Sequence, residues 1–427
     1  MEILLSLSIC LFAGLMLSRL AKLVQLPAVT AYLVAGIIVG PFCLGAFGVR
    51  GLGFVSLENV ESYSLLCDIA LGFIAFSIGN EFRLADLKHN GKQATVIGIL
   101  QAVITTLIVD AALIGLHFLM PDVLSLPAAI VLGAIAAATA PAATLMVVKQ
   151  YKAKGPLTDI LLPIVALDDA VGLVLFAISF GIAKSLTLGK VDILSVVVEP
   201  ILEVVLSIAL GAVMGLLLTF FERFFHSRSK RLSISVTFVM LAAGLSMMEF
   251  EIGGVHVAFS SLLICMMLGT IFCNICDFSE ELMDRLDRWT GPLFVLFFVL
   301  SGAELDLAVF TSAGVVIVGI VYIIARCIGK YFGAFSSAKT VKCDGNIVKY
   351  LGVTLFPQAG VALGMAIKAA GLGEEGVIVS NITLFAVLIY ELVGPVMTKI
   401  SLLKAGEIKP EGKVSAREEA KKALANK

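Results

Sequence analysis

The stretch LLPIVALDDAVGLVLF (residues 161–176) places two adjacent acidic side chains, Asp168 and Asp169, in the middle of an apolar run. Such a run inside a longer apolar segment is typical of a helix that crosses a lipid bilayer. On insertion scales each aspartate at the centre of such a helix costs ~2.5–3.5 kcal/mol. The pair together costs roughly 5–7 kcal/mol unless it is partnered or neutralised. Packing does not require this cost, so the doublet is the first candidate for function.

The composition of the whole chain points to a membrane protein. Of its 427 residues, 59% are hydrophobic and 15% are charged, whereas soluble chains carry about 25% charged residues. The mean hydropathy is +1.04, which excludes a soluble enzyme and a disordered chain. A net charge of −1 provides no field for nucleic acids. We predict an all-α polytopic membrane protein in contact with lipid, with no cofactor and no nucleic-acid partner.

Apolar segments of about 20 residues divide the chain into about thirteen transmembrane helices. Their approximate bounds are 3–18, 28–48, 62–79, 93–119, 124–148, 157–183, 195–220, 234–249, 255–275, 290–303, 309–335, 347–370 and 376–401. The odd-numbered loops hold 17 Lys and Arg residues and the even-numbered loops hold 4. Because basic loops stay in the cytoplasm, we predict a multi-pass protein of the cell membrane, with the N-terminus outside and the C-terminus inside. Residues 405–427 form a short cytoplasmic tail.

The two halves of the predicted transmembrane domain (1–404) resemble each other. Residues 76–87 align with 299–310, so that Gly79 matches Gly302 and Glu81 matches Glu304. Since seven helices separate the two copies, they run in opposite directions through the membrane. We predict two inverted-topology repeats, at about 1–185 and 232–404, joined by a linker helix at about 195–220. Inverted repeats place a binding site near the bilayer midplane, at interrupted helices.

Two predicted spans carry helix breakers at their centres. The fifth contains AATAPAATL (137–145), with Thr139, Ala140 and Pro141, and the twelfth contains TLFPQAGVALG (354–364), with Pro357 and Gln358. A proline removes a backbone donor, and the freed carbonyl must find a partner or line a polar cavity. A simple kink explains one such helix. For a matched pair in the two halves we favour two crossed, unwound segments.

Span 11 supplies two basic residues, Arg326 and Lys330, that can balance the acidic doublet. Asp168 lies ~18 Å and Arg326 ~16 Å from the cytoplasmic ends of their helices, at 1.5 Å per residue. We therefore expect Arg326 to be the ion-pair partner of Asp168 and rank Lys330, one turn nearer the cytoplasm, second. The two adjacent carboxylates can hold either a monovalent cation or protons.

Further acidic residues lie in or beside the predicted spans. Asp68 and Asp110 are placed toward the outer ends of spans 3 and 4, where they could line an entry funnel or pair with interfacial groups. Glu391, displaced by 223 residues from Asp168, is a structural counterpart in the second repeat. Glu81 and Glu304 fall at helix ends, where they cap the helix or face the interface.

Five motifs in order resemble the bacterial monovalent cation:proton antiporter family 2, the sodium/proton and Kef-type exchangers. They are LPAVTAYLVAGIIVGP (26–41), TAPAATL (139–145), ALDDAVGLVLF (166–176), ARCIGKYFGA (325–334) and LFPQAGVALG (355–364). The resemblance covers about residues 5–400. It implies a thirteen-helix homodimer with a dimerisation domain, a mobile six-helix core and elevator-like alternating access.

The resemblance also implies roles for individual residues. Asp169 is the principal cation and proton ligand, Asp168 is its partner, and Thr139 with neighbouring atoms contributes oxygens. Arg326 falls where many relatives have a lysine that pairs with the first aspartate. The implied function is exchange of a monovalent cation, with Na⁺ first, for protons.

Three alternatives to this exchange stay open at this stage. One is K⁺/H⁺ antiport, and another is a sodium-coupled solute symporter on a related fold. The third, an intramembrane aspartyl protease, is disfavoured because neighbours on a helix project ~100° apart and no GxGD sequence is present.

Overall fold

A computed structural model describes the chain over twelve ranges: 2–23, 26–48, 53–80, 84–188, 199–225, 227–248, 250–252, 255–257, 259–276, 278–305, 313–369 and 372–408. Within them the fold consists of sixteen α-helices, a short 3₁₀ turn at Leu44–Phe47 and a two-stranded hairpin, which confirms the predicted all-α class. Glu81 and the tail from residue 409 lie outside the described residues.

The elements follow one another in chain order. They are α1 (Glu2–Leu23), α2 (Ala28–Val39), α3 (Leu57–Glu61), α4 (Ser64–Asn80), α5 (Leu84–Leu119), α6 (Leu126–Ile135), α7 (Pro141–Tyr151), α8 (Pro156–Leu188), α9 (Glu199–Glu222), α10 (Arg228–Ser246), β1 (Phe250–Ile252), β2 (Val255–Val257), α11 (Ser261–Ile275), α12 (Ser279–Glu304), α13 (Ala313–Thr340), α14 (Gly345–Thr354), α15 (Gly360–Ala369) and α16 (Glu374–Ala405).

Every predicted span overlaps one of these helices or a broken pair of them. Over the described residues, seven helical segments are long and apolar enough to cross a membrane by themselves, and the chain is a multi-pass membrane protein. The fifth and twelfth spans each contain two short helices, α6 with α7 and α14 with α15. The count of thirteen crossings and the boundaries of the two repeats stay predictions.

The helices pack into two bundles. The core bundle contains α5 to α8 and α13 to α16, and the scaffold bundle contains α1 to α4 and α9 to α12. In the scaffold, α2 and α12 approach so closely that a Cβ on Gly36 would lie 2.0 Å from the Val299 carbonyl oxygen, and one on Gly302 would lie 2.2 Å from that of Leu33. Small residues permit this backbone contact, which stabilises helix pairs in lipid by dispersion.

One of the contacts between the two bundles lies at the C-terminal end of α7. Lys149 in its last turn forms an ion pair with Asp287 of α12 at 2.7 Å. The neighbouring Gln150 accepts a hydrogen bond from the backbone N–H of Ala28, at the start of α2, at 2.8 Å. These contacts join core to scaffold on one side of the two helix breaks.

The helix that carries the acidic doublet is capped from a distant part of the chain. Glu407, just beyond α16, accepts hydrogen bonds from the backbone N–H groups of Leu157 and Thr158 at 2.6 and 2.8 Å. These amides belong to the first turn of α8, whose donors have no intrahelical partner. A carboxylate there also stabilises the positive end of the helix dipole. The segment after α16 therefore anchors the start of α8.

Candidate functional site

The site forms where the two broken helices meet. α6 ends at Ile135 and α7 begins with Pro141, while α14 ends at Thr354 and α15 begins at Gly360. Pro141 at the first position of α7 needs no intrahelical partner for its missing N–H. The Ala140 N–H donates to the Pro357 carbonyl at 2.8 Å, so the two unwound segments touch as predicted.

Four consecutive carbonyl groups after the last turns of α6 accept hydrogen bonds from side chains of the second half of the chain. Carbonyls at a helix end have no intrahelical partner, and cations stabilise the negative end of the helix dipole. The donors are Gln358 to Ile135 (2.9 Å), Arg326 Nε to Ala136 (2.9 Å), Lys330 to Ala137 (2.5 Å) and Arg326 Nη2 to Ala138 (2.6 Å). Side chains thus satisfy the four carbonyls at the opened end of α6.

Asp168 is fully engaged by its neighbours. Its Oδ2 atom accepts from the Thr139 hydroxyl at 2.6 Å and from Lys330 Nζ at 2.9 Å. Its Oδ1 atom accepts from the Gln101 amide, whose own oxygen accepts from Lys330 at 3.1 Å. Asp168 and Lys330 are both completely buried. A buried ion pair of this kind is stable only when such additional hydrogen bonds surround it.

The ion-pair partner of Asp168 is Lys330, so the expected order of the two basic residues is wrong. Helix α13 continues to Thr340, three residues past Ser337, the end used in the depth argument. From Thr340, Arg326 lies ~21 Å and Lys330 ~15 Å along the helix, against ~18 Å for Asp168, so depth does not choose between them. Lys330 makes the ion pair that the resemblance assigned to the position of Arg326.

Arg326 instead holds the two helix breaks together. Besides its bonds to the α6 end, its Nη1 donates to the Phe356 carbonyl of the second break at 2.7 Å. Its guanidinium lies over the Tyr390 ring, 4.5 Å from the centroid, a contact that stabilises a desolvated cation. The planar fork of an arginine suits three carbonyls in different directions.

Asp169 stands in contrast to its neighbour. It is 1% exposed, and neither carboxylate oxygen has a hydrogen-bond partner among the described residues. A charge buried in this way is unstable unless a proton or a cation joins it. The arrangement therefore pairs one saturated carboxylate, Asp168, with one that is free to take a small ion.

A comparison with known families agrees with this geometry. The family model described as "Sodium/hydrogen exchanger, transmembrane" matches residues 6–404. The chain belongs to this family. It is a transporter and not an enzyme, which rules out the aspartyl protease. No curated protein sequence matches the chain significantly.

Solved structures share the fold of this sodium/hydrogen exchanger. One, of the sodium proton antiporter MjNhaP1 from Methanocaldococcus jannaschii at pH 8, has a TM-score of 0.66 and 19% identity, covering 95% of this chain and 99% of that one. An electron-microscopy structure of the same antiporter has a TM-score of 0.69 and 19% identity, covering 94% of each chain. At this identity the likeness establishes the fold alone.

Sequence reasoning missed Gln101 and two tyrosines of the exchanger's site. Gln101 joins Asp168 to Lys330, Tyr390 lies under Arg326, and the Tyr322 hydroxyl accepts a hydrogen bond from Gln358 at 2.9 Å. Gln101 had a usable signal, because a glutamine in the middle of an apolar span must find a polar partner. The tyrosines had none, since their rings fit an apolar helix.

We expect Arg326→Lys to destabilise the exchanger. An ammonium group cannot reach all three carbonyls, and losing two charge-assisted hydrogen bonds costs about 3 kcal/mol. The measurement is thermal unfolding of the purified protein in detergent, with Arg19→Lys on the exposed face of α1 as the matched control. Equal unfolding temperatures for the two variants would contradict the role given to Arg326.

Proposed function

We propose that this chain exchanges Na⁺ for protons across the cytoplasmic membrane by alternating access to Asp169. The proposal places the N-terminus outside and the C-terminus in the cytoplasm. It treats Asp168, Thr139 and Lys330 as the fixed wall of the site and Asp169 as the group that exchanges ions. A homodimer stays a prediction of the family resemblance.

One observation carries the proposal: the two adjacent aspartates have opposite surroundings. Asp168 has three hydrogen-bond donors, one of them a lysine, whereas neither oxygen of Asp169 has a partner among the described residues. Lys330 offsets the charge of Asp168, and the buried guanidinium of Arg326 is bonded to backbone carbonyls. We therefore assign the balancing of the Asp169 charge to a mobile species. A proton and an alkali cation are both small enough, and they exclude one another at one carboxylate.

The exchange follows from this competition. A cytoplasmic cation displaces the proton from Asp169, the core bundle moves against the scaffold bundle, and an external proton displaces the cation. Each net charge carried across the membrane couples to ~2.3 kcal/mol per 100 mV. Oxygen ligands, such as the carboxylate and the carbonyls of an unwound helix, suit a hard monovalent cation.

The packing of the bundles supports alternating access. At the C-terminal end of α7, Lys149 and Asp287 join the two bundles, and the charge bias of the loops assigns this end to the cytoplasmic side. At the N-terminal end of α7 a cavity lies between the bundles, lined from the core by Pro141 and from the scaffold by Asp68. In the proposed orientation this cavity lies on the outer side of the helix breaks, which supports an outward-facing conformation.

The test is a flux assay on purified protein in proteoliposomes that carry a pH gradient and a pH-sensitive dye. We expect Na⁺ to collapse the gradient at lower concentration than K⁺, with choline inactive. A response to K⁺ alone would make the chain a K⁺/H⁺ antiporter. Uptake of an organic solute driven by Na⁺ without proton movement would identify a symporter and refute the exchange. Repeating the assay with a clamped potential measures the charge moved per cycle.

A further inference from the structure

A cavity of about 340 Å³ lies between the core and scaffold bundles, beside the first helix break. We call it the vestibule. Its wall includes Ala140 and Pro141 at the start of α7, and three carboxylic acids: Asp68 of α4, Glu304 of α12 and Glu391 of α16. The site residues Asp168 and Asp169 are not among its described lining residues.

With its three acids ionised, the vestibule carries an excess of negative charge. None of its described lining residues is Lys, Arg or His. The N-terminal ends of α7 and α15 border it, and each contributes a partial charge of about +0.5. Two helix ends therefore offset only about one of the three carboxylates. The remainder requires bound cations or protons.

Glu391 gives a second, independent indication of a ligand. Its side chain is 7% exposed, and its Oε2 atom is buried without a hydrogen-bond partner among the described residues. Leaving a buried carboxylate oxygen unpaired is costly. Glu304 lies close enough to interact electrostatically with both Glu391 and Asp68. The three acids, contributed by both bundles, thus place their negative charges around the same cavity.

The size of the vestibule indicates how a cation is held there. A volume of about 340 Å³ has room for on the order of ten water molecules. Among the described residues no three carboxylate, thiol or imidazole groups converge closely enough to coordinate a metal ion directly. A monovalent cation would therefore keep most of its water shell, and the acids would attract it through space and through those waters.

We propose that the vestibule is a second binding site, for a hydrated alkali cation, formed by Asp68, Glu304 and Glu391. The inference rests on the proposed exchange, for which it supplies a second cation site on the outer path between Asp169 and the external solution. Glu391 belongs to the core bundle and the other two acids belong to the scaffold. Movement of the core would separate them, so that the cation is held only while the vestibule is formed.

Transport kinetics provide the first test. Glu391→Gln and Glu304→Gln are each reconstituted, and Na⁺ is added on the outer side of proteoliposomes sorted by orientation. Removing one carboxylate at through-water distance costs about 1 kcal/mol, so we expect the apparent KM for external Na⁺ to rise about fivefold. Glu58→Gln, an exposed acid of α3 outside the vestibule wall, should leave KM unchanged.

Direct binding provides the second test and separates this site from Asp169. Radioactive Na⁺ is titrated onto detergent-purified wild type, Asp169→Asn, and Asp169→Asn combined with Glu391→Gln or Glu304→Gln. We expect two bound ions, one, and one bound about fivefold more weakly, respectively. Unchanged KM together with unchanged Na⁺ affinity in both double variants would overturn the vestibule site and leave the exchange intact. Wild type without proton flux would instead refute the exchange, while the binding affinities would still decide the vestibule.

Discussion

Asp169→Asn is expected to abolish Na⁺-driven proton flux while leaving the protein folded. The amide keeps the size of the side chain but removes the negative charge that a proton or a cation joins. A charge-assisted contact of about 3 kcal/mol corresponds to a loss of about two orders of magnitude in apparent affinity. Because both Asp169 oxygens lack partners among the described residues, no hydrogen bond of the fold is lost. The unfolding temperature should stay equal to that of wild type or exceed it.

The measurement combines the flux assay with thermal unfolding of the same preparations. Asp122→Asn, in an exposed turn before α6, is the matched control and should keep wild-type flux. Cation-dependent proton flux retained in Asp169→Asn would show that the exchanging group lies elsewhere. Loss of flux accompanied by unfolding would show that Asp169 is structural.

Lys330→Met is expected to produce the largest loss of stability. It leaves Asp168 completely buried without its cation, and breaking a buried pair in this way costs about 3–5 kcal/mol. Adding Asp168→Asn removes the stranded charge and should restore most of that loss. The double-mutant cycle, measured by thermal unfolding in detergent, isolates the interaction between the two side chains.

An exposed ion pair of the same chain serves as the control cycle. Lys368 and Glu203 lie 3.3 Å apart, with side chains 55% and 15% exposed. Pairs of this kind contribute about 0–1 kcal/mol, so Lys368→Met and Glu203→Gln should add with little coupling. If the stability losses of the Lys330 and Asp168 variants also simply added, their ion pair would not be what stabilises the meeting point of the two broken helices.

The two adjacent aspartates should therefore respond in opposite ways to the same substitution. Asp168→Asn removes an ion pair and weakens the fold, whereas Asp169→Asn removes only the exchanging charge. Their positions in the sequence do not show which of the two is paired and which is not. The distinction comes from which face of α8 meets Thr139, Gln101 and Lys330.

The helices were predictable because a membrane-spanning helix can be recognised from its own apolar residues. Every backbone N–H and C=O of a span must be bonded within the helix itself, so an apolar run of sufficient length identifies a helix without knowledge of its neighbours. The two breaks were located by proline, which removes a donor, at matching places in the two halves. Proline alone is not sufficient, because Pro163, Pro292 and Pro395 lie inside continuous helices. Pro141 and Pro357 lie at these breaks in the structure.

The partner of Asp168 was not predictable to the same accuracy. The depth argument depends on where a helix ends, and with α13 ending at Thr340 the depth of Asp168 falls midway between those of Arg326 and Lys330. The sequence also contains no information on which way each side chain faces around its helix axis. Gln101, more than 60 residues before Asp168 in the chain, could be marked as unusual but not assigned to a partner.

The sequence by itself determined that this chain crosses the membrane repeatedly, where two of its helices break, and that a doublet of acids lies between them. Those conclusions need only short-range chemistry: the cost of charge in lipid and the pattern of helix-breaking residues. Tertiary structure decided that Lys330 neutralises Asp168, that Arg326 binds both breaks, and that the Asp169 oxygens have no hydrogen-bond partner among the described residues. These depend on helix rotation and on contacts between distant segments, which only the packed bundle establishes.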